Sequence, residues 1–127
     1  MKTQMWGLVV MVLLASTPLH GTAAFAAPKT VLASVYANLL TGHRMANGQR
    51  YDPRKLIAAH RTLPFGTQIR VTNPKSNKSV VLCVVDRGPY RRLRTLDITP
   101  AAATELGFSW RGVHRVMMDV LDGEGCL

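Results

Sequence analysis

The chain has 127 residues, with sixteen Lys and Arg against seven Asp and Glu, a formal charge of +9 and two cysteines. This length leaves room for one hydrophobic core and excludes two. The charge steers the molecule toward anionic partners, and the export signal read next sets nucleic acid aside in favour of wall polymers and lipid headgroups.

Lys2 gives a positive start, the apolar run 6–15 follows, and a small, polar stretch leads to Pro28. These are the three parts of a secretory signal peptide, with Ala24-Phe25-Ala26 as the cleavage site. The apolar run is shorter than the roughly 18 to 20 residues that span a bilayer. Residues 1–26 are therefore expected to be removed, leaving 27–127 as one periplasmic or secreted domain with no lasting membrane anchor. Lys2 is the only Lys, Arg, Asp or Glu in the leader, so the domain keeps +8.

The segment 31–36, rich in β-branched and aromatic residues, reads as a first strand. Residues 38–48 are loop-like, with Gly42, Asn47 and Gly48 as turn formers. The segment 52–59 predicts one or two helical turns, Asp52 as N-cap and Pro53 at the first helical position. Residues 67–72 alternate as a half-buried strand does. After the loop 73–78, the apolar run 79–85 predicts a strand buried on both faces, pairing with 67–72 as a hairpin. The turn 86–93 carries Arg87, Arg91 and Arg92, with Arg94 just beyond. A short strand, 95–98, precedes a helix over 99–107 with Thr99 as N-cap, Pro100 first and Gly107 as its stop. The segment 112–121 is a final alternating strand. Short strands, turn signals and two small helices predict a closed β-barrel, which also removes exposed edges.

Few residues are free for chemistry. Asp52 is spent as a cap, Glu105 lies on the surface helix, and Asp122 and Glu124 lie in the tail. Asp119 is expected to pair with an arginine. Asp86 closes the most apolar strand and must be paired or hydrogen-bonded there; it either works on a substrate or shapes the turn through its N–H groups or Arg87. Alternation puts Asp97 on the face away from Leu96 and Ile98. Burial would raise its pKa, as suits a proton donor, whereas backbone N–H bonds would lower it. His60 precedes Arg61-Thr62-Leu63-Pro64-Phe65-Gly66, and its place relative to Asp86 does not follow from the spacing. His43 and His114 have weaker claims. The scattered histidines and acids supply no metal-ligand grouping, and no cofactor is expected. Cys83 and Cys126 permit a disulfide that would staple the tail to the barrel, or remain two thiols.

Six segments then stand in a familiar order: Ala33-Ser34-Val35-Tyr36, Met45-Ala46-Asn47-Gly48-Gln49-Arg50-Tyr51-Asp52, Ala58-Ala59-His60-Arg61-Thr62-Leu63-Pro64-Phe65-Gly66, Ile69-Arg70-Val71-Thr72-Asn73, Val85-Asp86-Arg87-Gly88-Pro89-Tyr90 and Leu96-Asp97-Ile98-Thr99. The chain resembles the rare lipoprotein A (RlpA)-like domain over roughly 31–121. The resemblance implies a six-stranded double-psi β-barrel with a polysaccharide groove, and lytic cleavage of peptidoglycan glycan strands with a preference for strands stripped of peptide. It implies His60 and Asp86 as active-site positions, and Asp97 as the acid of related lytic barrels. Tyr36, Asn47, Gln49, Arg87 and Tyr90 are the expected sugar contacts. Two departures weigh against catalysis: Val35 stands where the family usually has tryptophan, and Gln49 where it usually has an active-site glutamate.

Ordinary glycoside hydrolysis needs two carboxylates. Lytic cleavage of the MurNAc–GlcNAc bond needs one acid, because the substrate's own C6 hydroxyl attacks and leaves a 1,6-anhydro end. The expected roles are Asp97 as proton donor, with Asp86 and His60 positioning the sugar and stabilising charge. The two aspartates are exchangeable in these roles, although the adjacent Arg87 is expected to hold Asp86 ionised. The other reading is a non-catalytic, expansin-like wall-binding or wall-loosening module.

Overall fold

The computed structural model describes Gly7, 27–123 and 125–127; the expected leader and its cleavage point lie outside the described residues. Six strands, β1 (Lys29–Val35), β2 (Ile57–His60), β3 (Gln68–Thr72), β4 (Ser79–Asp86), β5 (Arg94–Ile98) and β6 (Val113–Val120), close into a barrel in the order β1-β5-β2-β4-β3-β6. The pairs β1–β5 and β2–β4 are parallel; the other four are antiparallel. The β3–β4 pair is the hairpin read from 67–85.

Alternating side chains fill the barrel. Ala33, Ala58, Ile69, Val71, Leu82, Val84, Leu96, Ile98 and Val116 are all fully buried in one cluster. Burying a side chain the size of Leu96 or Ile98 is worth about 1.5–3 kcal/mol. The helix α1 (Pro100–Leu106) adds Ala102, Ala103 and Leu106 to this core. Its ends are as read: Thr99 accepts from the Ala102 N–H, Pro100 starts the helix, and Gly107 ends it at φ 77°. That left-handed backbone costs glycine nothing.

Two expectations are corrected. Residues 52–59 are not helical: 52–55 is a turn and Ile57–His60 is strand β2. Asp52 does accept from the Arg54 N–H, at 2.9 Å, but Ile57, Ala58 and Ala59 are buried between β4 and β5. Long-range pairing overrides the local cap signal. The run 79–85 is also not buried on both faces throughout. Ser79 and Val81 are exposed in the first half, and only Val84 and Val85 are buried side by side. Val84 belongs to the barrel core. Val85 belongs to a second cluster with Met45, Tyr51 and Ile57, covered by Tyr36. The loop between β1 and β2 thus lies over the outer wall of β2 and β4.

Candidate active site

The site is a row of residues across four strands. Ser34 on β1 stands opposite Asp97 on β5, Asp97 opposite Ala59 on β2, and Ala59 opposite Asp86 on β4. Residues in register share a face of the sheet. Leu96 and Ile98 point into the core, so this row faces outward.

Two irregularities set the alignment. Ala58 pairs with Val84 but Ala59 with Asp86, so Val85 is an extra residue in β4. In an unbroken ladder Asp86 would share the inward face of Val84. The bulge instead turns it outward beside Asp97, and re-aiming a side chain is a recognised use of a bulge. A second shift, between Leu32 and Ala33, brings Ser34 level with Asp97.

Asp86 is fully engaged. Its Oδ2 accepts from the Tyr36 hydroxyl at 2.7 Å, and its Oδ1 accepts from the N–H groups of Ala46 (2.8 Å) and Arg87 (2.9 Å). The Ala46 contact pins a small hairpin, in which Arg44 and Arg50 face each other across the turn. Gly48 sits in that turn at φ 88°, where a side chain would be strained. Gln49 and Asn47 are hydrogen-bonded to each other through their side chains at 3.1 Å, at the rim beside Asp86. Tyr36 is partly buried and bonded to Asp86; desolvation first, then that bond, push its pKa up.

Asp97 is half-buried. Loss of solvent raises its pKa and the Asp86 charge adds to the rise; the Ser34 hydroxyl, which donates to its Oδ1, and the Arg94 charge oppose it. A carboxyl held toward its protonated form suits proton donation.

Three sequence expectations change here. Arg87 does not pair with Asp86 through its guanidinium. Its Nη1 donates to the carbonyls of Leu63 (2.7 Å) and His60 (3.2 Å), and the group lies 3.9 Å from the Phe65 ring centre. Arg87 therefore fastens the 61–65 turn to the barrel, and its planar fork and cation–π contact explain why the position takes arginine. His60 follows Ala59, so alternation turns it away from the row of carboxylates. Its Nδ1 accepts from the N–H groups of Thr62 and Leu63, both at 3.1 Å. Burial first, then the charges of Arg61 and Arg87, lower its pKa. Asp119 faces Arg70 across β3–β6 without an ion pair; among the described residues, the ion pair present is Arg54–Asp52 at 2.9 Å.

Tyr90 is exposed, next to the Asp86 turn. Cys83 and Cys126 form a disulfide with Cα atoms 5.8 Å apart, and the Cys126 N–H donates to the Gly66 carbonyl. Among the described residues, no three His, Cys, Asp or Glu side chains gather as metal ligands. Sequence reasoning missed Ser34 and Tyr51. Ser34 had a signal, since it lies two residues before Tyr36 and so on its face. Tyr51 had none beyond its place in the Met45–Asp52 motif.

The family model described as lytic transglycolase matches residues 29–118. A probable endolytic peptidoglycan transglycosylase RlpA from Synechocystis sp. is 43% identical over 90 residues, 71% of this chain and 28% of that protein. The endolytic peptidoglycan transglycosylase RlpA of Neisseria meningitidis serogroup A is 41% identical over 103 residues, 81% of this chain and 42% of that protein. The matched region is thus less than half of either relative. Among solved structures, the Streptomyces papain inhibitor superposes with a TM-score of 0.58 at 17% identity, covering 78% of this chain and 98% of its own. Cerato-platanin 3 from M. perniciosa gives 0.56 at 13%, covering 74% and 95%. At these identities the two structures share the barrel alone.

Proposed function

This chain belongs to the lytic transglycolase family of RlpA-like double-psi barrels, and from that premise we propose that it cleaves MurNAc–GlcNAc bonds in peptidoglycan glycan strands, leaving 1,6-anhydro ends. The observation that carries the reading is the outward row Ser34–Asp97–Ala59–Asp86, which holds two unlike, partly exposed carboxyls on one wall of the barrel.

Asp97 is the proton donor. It protonates the glycosidic oxygen as the bond from the anomeric carbon breaks. The C6 hydroxyl of the same MurNAc attacks that carbon, and its proton returns to the Asp97 carboxylate, so the acid is restored without water. Asp86, with three donors on its oxygens, stays in place as a fixed negative group beside the developing positive charge. Tyr36, Asn47, Gln49 and Tyr90 line the strand's path. His60 and Arg87 serve from behind, by holding the 61–65 turn.

The work is done at the wall, outside the cytoplasmic membrane, with 1–26 as the leader that carries the domain there. Peptide-poor strands are the preferred substrate. The Gln49 amide is held by Asn47 rather than by Asp86 or Asp97; a single acid acting with the substrate's own hydroxyl does not require a carboxylate at position 49.

The test is digestion of purified peptide-free glycan strands, with mass spectrometry of the products. Anhydromuramyl-ended fragments are expected. Retained binding to sacculi with no such ends at high protein concentration would sink the enzyme and favour the expansin-like module.

A further inference from the structure

Tyr51 is 3% exposed, and its hydroxyl is a buried side-chain polar atom with no hydrogen-bond partner. A buried hydroxyl left unpaired is costly, and a phenylalanine would fill the same space without that cost. The position therefore has a use for the oxygen that the resting structure does not show.

The surroundings say which use. The Tyr51 ring packs on Tyr36, centroids 4.8 Å apart. The Tyr36 N–H is bonded to the Ile98 carbonyl, beside Asp97, and its hydroxyl to Asp86. The tyrosine pair thus lies against the carboxylate row. Asp86 already has the Tyr36 hydroxyl; Asp97 has only Ser34. Resting on the assignment of Asp97 as acid, we propose that Tyr51 is a positioning residue for Asp97: its hydroxyl is unpaired while Asp97 is protonated and donates to the Asp97 carboxylate once the proton has left.

The chemistry supports a donor of this kind. A protonated, half-buried carboxyl needs little help, whereas the carboxylate left after transfer is short of both water and a second donor. A contact made only after charge appears lowers the barrier without tightening substrate binding. No bond to carbon forms or breaks at Tyr51, and its proton stays on the oxygen. That proton is held firmly: burial first, then the charges of Asp52 and Asp97, push the phenol pKa up to about 12. The groups that act on Asp97 are Ser34, bonded from β1, Arg94 from its own strand and Asp86 from β4, and its charge is felt by Tyr36 and Tyr51 of the covering loop.

The experiment compares wild type with Tyr51→Phe. First, the Asp97 carboxyl is titrated by carbon-13 NMR, with Asp97→Asn identifying its signal. Loss of the donor destabilises the carboxylate, so the Asp97 acid dissociation constant should fall about tenfold. Second, on peptide-free strands, kcat should fall about tenfold with KM nearly unchanged, and the alkaline limb of the rate profile should move to higher pH. An unchanged dissociation constant overturns the proposal whether or not the chain cleaves glycan. A shifted constant in a protein without activity keeps the Tyr51–Asp97 contact and removes the enzyme reading instead. Should Tyr51→Phe not fold, the wild-type Tyr51 ring signal still decides. It should titrate with Asp97 and lose that step in Asp97→Asn; a flat trace overturns the proposal.

Discussion

Asp86 and Asp97 stand opposite the same residue, Ala59, one on each strand that flanks β2. A methyl group is all that rises between them on the outer wall. Their surroundings drive them apart in character: one is saturated with donors, the other desolvated with a single hydroxyl. Two acids in unlike settings are the usual mark of unlike roles.

Asp97→Asn should lower turnover by about 10²–10⁴-fold, the range of a lost general acid, while binding to sacculi persists. The variant also tests stability. The folded-state pKa of Asp97 lies above its unfolded value, so its contribution is most favourable below the unfolded pKa and is lost as pH rises through the folded one. Urea melts of Asp97→Asn should lack that loss. Normal turnover in this variant would pass the acid role to Asp86.

Asp86→Ala should destabilise more than Tyr36→Phe. The alanine orphans the partly buried Tyr36 hydroxyl and Arg87 N–H and the exposed Ala46 N–H at once, costing up to about 1–3 kcal/mol for each of the two partly buried donors. Tyr36→Phe removes one charge-assisted bond, worth about 1.5–3 kcal/mol. Chemical denaturation measures both, and hydrogen exchange at Ala46 should rise only in Asp86→Ala.

Acidification should loosen the 61–65 turn. His60 accepts two N–H bonds on Nδ1, which only the neutral ring can do. Its folded pKa is below 6.5, so the unfolded chain binds the proton first. Stability from His60 is complete above pH 6.5 and falls as pH drops through the unfolded value toward the folded one. Exchange protection of the Thr62 and Leu63 amides should fall over the same range. Equal protection at pH 8 and pH 5 would count against this.

Reduction, or Cys126→Ser with Cys83→Ser, should cost about 2–4 kcal/mol for a bridge closing a separation of 43 residues. The barrel strands should persist while Cys126 and Leu127 leave Gly66. Circular dichroism and denaturant melts under reducing conditions check both parts.

Local signals were read well where local physics decides. Thr99, Pro100 and Gly107 delimit a helix by capping alone, and the alternation of Leu96, Asp97 and Ile98 put the acid on the correct face. Asp52-Pro53 misled, because the partners that make Ile57–His60 a strand lie on β4 and β5, far along the chain. Arg87 misled for a related reason: adjacency to Asp86 in sequence did not put its guanidinium there, once the Leu63 carbonyl and the Phe65 ring offered a better seat.

By itself, the sequence determined five of the six strands, the caps of the 100–106 helix, the family and the short list of acids, since periodicity, capping and motif order are properties of neighbouring residues. The tertiary structure alone decided which way Asp86 points and what both acids meet. The extra residue at Val85 turns Asp86 outward, closure of β1 on β5 brings Ser34 to Asp97, and the fold buries Tyr51 against Tyr36 with its hydroxyl unpaired. Register between distant strands is set by the closed barrel, and no spacing along the chain encodes it.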